Sequence, residues 1–312
     1  MAREYRLDIS IEFDRTFARG NDLDVFQALL HAHAPSWCMG LQVWRHYHFK
    51  TPVNVSIPGD LARVLRTIAL ADTERRARHW QSSPLLPYVT PDRVTGSEEL
   101  RGSNPSLILV TDIDDFVLKP IGDIWGWGNS IAIQICRARV EGMPAARWAY
   151  DMFLAICEAL APAHAYANMW DEYDAKNMYR EHGHVHAIGV DRSAALCGLY
   201  WLNYFGRPYR DLIGRDRLMT APAHELREIG DGVLIGLAED PRAWNTPEYR
   251  QCERAVIDHL GQQYFFDRND PERETIAPDF GVPKLPPATM ARYLTAVRQG
   301  KGWSWQMVDA PE

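Results

Sequence analysis

The stretch YRLDISIEF, residues 5–13, alternates apolar and polar side chains without a break. In a strand, Tyr5, Leu7, Ile9, Ile11 and Phe13 would share one face, and the polar residues between them would share the other. Strict period two with one polar face is typical of a half-buried strand in an antiparallel or mixed sheet. A doubly wound parallel sheet would instead need strands that are apolar on both faces.

Strand and helix patterns are interleaved along the rest of the chain. Strands are predicted over 39–49, 106–113, 130–138, 163–170 and 198–206, with a hairpin over 224–240 that turns at Gly230-Asp231-Gly232. The segment 114–129 between two of these strands is predicted as a loop or hairpin. Pro144 opens one helix, and a short helix follows at 207–222. The last helix is expected to begin at Pro247 with Thr246 as its cap, and to end just before Gly261. The fold class predicted is therefore α+β, with helices packed on a mostly antiparallel or mixed sheet.

The sequence contains no repeat and no clean linker. Residues 1–266 are expected to form a single α+β unit, with 1–140 and 141–266 as candidate halves. Residues 267–312 are rich in proline and charge, and they are expected to form a tail with one amphipathic helix around 287–298.

Charge and composition exclude several classes of protein. The formal net charge of −7 argues against direct nucleic-acid binding, which usually needs a clustered positive surface. No stretch approaches eighteen uninterrupted apolar residues, so we expect no membrane span. The first residues lack the apolar run of a secretory signal, and the expected location is the cytoplasm. The five scattered cysteines are expected to be buried free thiols.

A cluster of histidines in YREHGHVHAIGV, residues 179–190, raises the possibility of a metal site. If 182–186 is extended, His182, His184 and His186 share one face at spacings of about 6.6 Å. Two of them could share one zinc ion, and the pair His46 and His48 is the best candidate for the missing ligands. The alternative, a polar and pH-responsive strand without metal, is favoured.

No familiar catalytic motif is present. The chain lacks a GxSxG elbow, a GxxxxGK phosphate loop, an HExxH helix and a GxGxxG turn after a strand. We therefore expect no enzyme activity and no cofactor. A metal-dependent hydrolase or oxygenase that uses His182 and His184 with His46 and His48 is the alternative.

Acidic and aromatic residues in predicted loops are the candidate binding residues. Tryptophans beside acids resemble the anchors of protein–protein interfaces, and acidic loops complement a basic partner. The candidates are Asp112, Asp114, Asp115, Trp125, Trp127, Asp171, Glu172 and Asp174. A second tryptophan pair, Trp303 and Trp305, lies near the C-terminus. The alternative interpretation is that these loops fold back over the core or form solvated surface.

The carboxyl-terminal third resembles a known family. Residues 198–261 contain an aromatic strand that ends in Asn-Tyr-Phe-Gly, then LIGRDRL, APA, a Gly-Asp-Gly hairpin and WNTPEY at the start of the last helix. This series is similar to the closing module of bacterial immunity proteins encoded beside toxins of type VI secretion and other polymorphic toxin systems. The TsiT-like group is the nearest match, and its partners resemble nucleases of the restriction-endonuclease fold.

The resemblance implies a protein that acts by binding alone. It would neutralise one cognate nuclease toxin in the producer's cytosol, with no cofactor, no direct contact with nucleic acid and no membrane association. An acidic surface could block the basic DNA-binding cleft of the toxin or cover the face through which the toxin self-associates.

Overall fold

The structure is a computed structural model that describes the greater part of the second half of the chain and separate elements of the first half. The described residues are 7–13, 22–33, 38–45, 53–55, 105–111, 115–122, 129–135, 143–181, 184–187, 195–267, 269–270 and 273–279. The predicted tail helix around 287–298 and the pair Trp303 and Trp305 lie outside these residues.

The strand predicted from residues 5–13 occupies the centre of a large sheet. Strand β1, Leu7–Phe13, pairs with β6, Asn129–Ile135, on one edge and with β7, His164–Met169, on the other. Both pairings are antiparallel and unbroken in register, for example Ile9 opposite Ile133 and Ala167. Strands from the first and second halves of the chain therefore join in one sheet through β1.

Ten of the described strands form this sheet, and every pairing within it is antiparallel. Beyond β6 lie β5 (Asp115–Gly122), β4 (Pro105–Thr111), β2 (Cys38–Arg45) and β3 (Val53–Val55). Beyond β7 lie β10 (Leu202–Phe205), β12 (Gly232–Gly236) and β11 (Glu225–Ile229). A separate hairpin pairs β8 (Met178–Glu181) with β9 (His184–Ala187). The α+β prediction with an antiparallel sheet is confirmed, and the division into halves 1–140 and 141–266 stays a prediction.

Helices cover both faces of the sheet. The apolar residues of β1 pack against α1 (Asp22–Ala32) and α2 (Met143–Leu160), whose Phe26, Met152, Phe153 and Ile156 are fully buried. The opposite face carries a second core around Phe205, Val233 and Ile235. The further helices are α3 (Trp170–Asn177), α4 (Arg207–Ile213), α5 (Arg215–Met219) and α6 (Pro247–Leu260), with 3-10 turns at Pro241–Asn245 and Gln262–Tyr264. None of the helices within the described ranges combines the length and apolar character that a membrane crossing requires.

The polar face of β1 is buried, which corrects the prediction of a half-buried strand. Asp8 and Glu12 are only 6% and 4% exposed, because the second layer of helices covers this face. Glu12 lies 3.7 Å from Nδ1 of the buried His164, whose ring is also 5.6 Å from Phe205 and 5.4 Å from Tyr209. Burial lowers the pKa of His164 to about 3, so its imidazole is neutral at physiological pH.

The carboxyl-terminal module differs from its predicted pattern in two places. The strand predicted over 198–206 begins only at Leu202, because the side chain of Asn203 holds a turn: its Oδ1 accepts from the Tyr200 N–H at 2.8 Å, and its Nδ2 donates to the Tyr200 carbonyl at 2.7 Å. The single helix predicted at 207–222 is two helices, since Gly214 has a φ of +97° and ends the first.

The last helix and the hairpin form as predicted. The hairpin turns between Ile229 and Gly232. Thr246 Oγ1 accepts from the Tyr249 N–H at 3.3 Å, Pro247 begins the helix, and Gly261 ends it with a φ of +115°. Local cap and turn residues thus set both boundaries of α6.

The C-terminus of α2 offers a test of backbone strain. Ala161 has a φ of +41°, a conformation that disfavours any residue with a Cβ, and its side chain is exposed. We expect Ala161→Gly to raise the free energy of unfolding by about 0.5–1 kcal/mol in urea titrations. The control Ala159→Gly lies within the helix and should lower it by about 0.5–1 kcal/mol. The same sign for both variants would contradict the assignment of strain to Ala161.

Candidate functional site

The structure leaves several predicted site residues outside its described ranges. These residues are Asp112, Asp114, Trp125, Trp127, His46, His48 and His182. Their predicted roles in toxin binding or metal binding stay predictions.

Asp115 lies in a strand and not in a surface loop. It is the first residue of β5 and stands opposite Val110 on β4. β5 is paired along both edges, with β4 and with β6, so residues 115–122 belong to the interior of the sheet. Because β5 and β6 are consecutive antiparallel partners, the hairpin alternative predicted for 114–129 agrees with the structure.

The acidic segment at 170–175 is a helix and not a loop. Asp171, Glu172 and Asp174 belong to α3, and Asp171 and Asp174 are partly exposed. Glu172 is completely buried. The prediction that Glu172 contacts a toxin at the surface is therefore wrong. Its carboxylate accepts hydrogen bonds from other residues in the interior instead.

Glu172 belongs to a buried charge network that connects α3 with α6. Its Oε1 accepts from Lys176 Nζ at 2.7 Å and from the Tyr249 hydroxyl at 2.5 Å. Lys176 Nζ also contacts Glu253 at 2.7 Å and donates to the Leu199 carbonyl at 2.5 Å. Its ammonium group lies over the rings of Tyr200 and Tyr249, at 5.1 and 5.5 Å. One cation thus compensates two carboxylates between two helices and a loop.

The balance of charge in this network sets the direction of its pKa shifts. Burial raises the pKa of Glu172, and the opposing effects of Lys176 and the Tyr249 hydroxyl do not cancel it. Burial opposes the charged form of Lys176, but the carboxylates of Glu172 and Glu253 outweigh that effect and raise its pKa. Lys176 therefore stays charged, and Glu172 holds its proton to a higher pH than an exposed glutamate.

A second group of buried side chains supports α3 from the other side. The rings of Trp170, Tyr173, Tyr200 and Tyr166 form a stacked series with centroid distances of 5.6, 6.2 and 4.5 Å. The Tyr200 hydroxyl donates to the Asn177 side chain and lies 3.2 Å from the Cys197 sulfur. Cys197 is a buried free thiol, as is Cys157, which confirms the prediction for these two cysteines.

The histidine cluster falls on the small hairpin. His184 and His186 belong to β9 and stand opposite Glu181 and Tyr179 of β8, so the extended conformation predicted for 182–186 is confirmed for residues 184–186. Within the described part of the chain, no three His, Cys, Asp or Glu side chains are grouped to share a metal ion.

An open cleft of about 410 Å³ lies beside the charge network, at the start of α6. Its walls are mainly apolar and come from 222–224, from residues 237–239 after β12, from the 3-10 turn and from the start of α6. The lining residues are Pro222, Ala223, His224, Leu237, Ala238, Glu239, Ala243, Thr246, Glu248, Tyr249 and Cys252. All of them belong to the module 198–261.

Sequence patterns did not single out the cleft residues. Glu248 was visible only as an acidic residue in the first turn of a capped helix, and Glu239 only as part of the charged end of a hairpin. These residues come together because the end of the hairpin, the 3-10 turn and the start of α6 lie next to one another in space. That convergence depends on the tertiary fold.

Comparison with known proteins adds one likeness. No protein-family model and no curated protein matches the chain. Among solved structures, the fold is similar to that of the T6SS protein PA0821 of Pseudomonas aeruginosa, with 12% sequence identity and a TM-score of 0.45 over 99% of this chain and 90% of that chain. At this identity and TM-score, the likeness assigns neither a family nor an activity to this chain.

Removal of the central cation tests the charge network. We expect Lys176→Met to lower the free energy of unfolding by about 3–5 kcal/mol in urea titrations, because two carboxylates in a largely buried site lose the cation that contacts both of them. The matched control is Arg215→Met, which breaks a surface pair with Glu228 and should change stability little. Equal effects of the two substitutions would show that Lys176 contributes no more than a surface charge.

The raised pKa of Glu172 predicts a dependence of stability on pH. Above the ordinary pKa of 4.5 and up to the raised value, the folded protein binds more protons at this site than the unfolded chain. The free energy of unfolding contributed by Glu172 therefore falls as the pH rises through this window, and Glu172→Gln lacks that contribution. The stability of the wild type minus that of Glu172→Gln should decrease from pH 4 to pH 7 in urea titrations. Glu158→Gln, at an exposed position on α2, is the control for the substitution itself. An increase with pH for Glu172→Gln would contradict the assignment.

Proposed function

We propose that the protein is an immunity protein of a type VI secretion or polymorphic toxin system. It binds a cognate nuclease toxin in the cytosol and neutralises it by covering the toxin's active cleft or the face through which the toxin self-associates. It performs no catalysis, and it uses no cofactor.

The sequence resemblance over 198–261 supports this proposal. These residues form a contiguous layer, in which β10, β11 and β12 extend the sheet and α4, α5 and α6 cover one face of it. The family features quoted from the sequence are turns, caps and strand residues of this layer. They describe a scaffold that presents a surface.

The observation that carries the proposal is the open cleft with its two carboxylates. Glu239 and Glu248 line the cleft and are exposed, and neither has a cationic partner among the described residues. By contrast, Asp240 is paired with Arg242 and Glu228 with Arg215. Unpaired carboxylates around an apolar hollow suit a basic partner, and nucleases present basic surfaces to DNA.

The interior charges support binding over chemistry. Glu172, Lys176 and Glu253 hold α3 against α6, and the first of these is sealed from solvent. His164 is buried among aromatic rings, and its imidazole is neutral. These titratable groups hold helices and strands together and present no reactive atom to a substrate.

Co-purification with the product of the adjacent gene tests the proposed function. We expect a stable complex of the two proteins and loss of the toxin's nuclease activity on plasmid DNA when this protein is added in equimolar amount. An unrelated basic nuclease, assayed under the same conditions, should keep its activity. A soluble toxin that neither binds this protein nor loses activity in its presence would refute the proposal.

A further inference from the structure

The walls of the cleft are held in place before any partner binds. The Tyr249 hydroxyl donates to the buried Glu172, which fixes one wall against α3. The Cys252 thiol donates to the Pro222 carbonyl at 3.6 Å and ties α6 to the opposite wall. Thr246 caps α6 through the Tyr249 N–H. A cleft that is already formed loses little conformational entropy on binding.

Both apolar residues and carboxylates line the cleft. The half-buried Ala238 and Ala243 supply apolar surface, and the nearly fully buried Leu237 and Tyr249 also line the cleft. Glu248 lies in the first turn of α6, where the dipole of the helix stabilises a carboxylate. Together with Glu239, it leaves two negative charges at the cleft that no described residue compensates.

A long cationic side chain matches this combination. Lysine and arginine bury their aliphatic stems along apolar surface and keep the charged head at a polar site. A phosphate or a carboxylate would meet repulsion from Glu239 and Glu248. A purely apolar side chain would leave both charges without a partner.

We propose that the cleft receives a lysine or arginine side chain from the basic DNA-binding surface of the toxin. This inference rests on the proposed function and names the chemical group that is recognised. The aliphatic stem lies along Ala238 and Ala243, and the charged head pairs with Glu239 and Glu248. The protein thus occupies a position on the toxin that a DNA phosphate would otherwise take.

Two variants of the full chain test the cleft with the toxin as the probe. The double variant Glu239→Gln and Glu248→Gln removes both charges and keeps the shape, and Ala243→Trp fills the hollow. Their controls are Glu158→Gln and Ala159→Trp, at exposed positions on α2. Affinity for the toxin is measured by titration at two salt concentrations, and the thermal midpoint of each variant establishes that it is folded.

We expect each cleft variant to bind the toxin at least about tenfold more weakly, and each control to stay within about twofold of the wild type. The double variant should also lose part of the salt dependence that the wild type shows. Cleft variants that bind as tightly as the wild type would overturn the inference and leave the proposed function intact. A wild-type protein that forms no complex would overturn the proposed function, and the inference with it. If Ala243→Trp fails to fold, the double variant decides the outcome alone.

Discussion

The fold depends on the position of β1 between β6 and β7. β1 pairs with β6 over Leu7–Phe13 and with β7 over Leu7–Glu12, and both of its faces are buried. Leu7, Ile9, Ile11 and Phe13 provide the apolar contact with α1 and α2, while Asp8 and Glu12 are enclosed on the other side. Burial of a carboxylate costs free energy unless it is compensated. Polar side chains of the neighbouring strand β7 lie close to this face, and the ring of His164 is 3.7 Å from Glu12.

The same demand for compensation recurs between α3 and α6. Glu172 is buried at the centre of the contact, and Lys176 must satisfy both it and Glu253. The aromatic rings around the ammonium group exclude water and add favourable contact with the cation. Tyr249 donates to Glu172 and also lines the cleft, so the buried network and the cleft share one side chain. The network therefore helps to fix the position of one wall of the cleft.

The elements that the sequence predicts well are those whose signals are local. The period of two in residues 5–13, the Gly-Asp-Gly hairpin and the cap, proline and glycine of α6 act within a few residues, and each element forms as predicted. The failure at 170–177 has a different origin. These residues form a helix in which Glu172 contacts Lys176 one turn away and also Tyr249, far along the chain. The burial of Glu172 depends on that distant contact, and no local pattern contains that information.

The contrast between local and long-range signals also explains why the sequence did not predict the cleft. Its residues come from a hairpin end, a 3-10 turn and the start of a helix, and none of these belongs to a recognisable motif. A catalytic site needs a small set of reactive groups in fixed geometry, and such sets leave signatures in sequence. A docking surface needs only shape, apolar area and charge of the right sign, which many residue combinations can supply. Under the proposed function, the pairing state of the carboxylates is the feature that matters, and Glu239 and Glu248 differ in this respect from the paired Glu228 and Asp240.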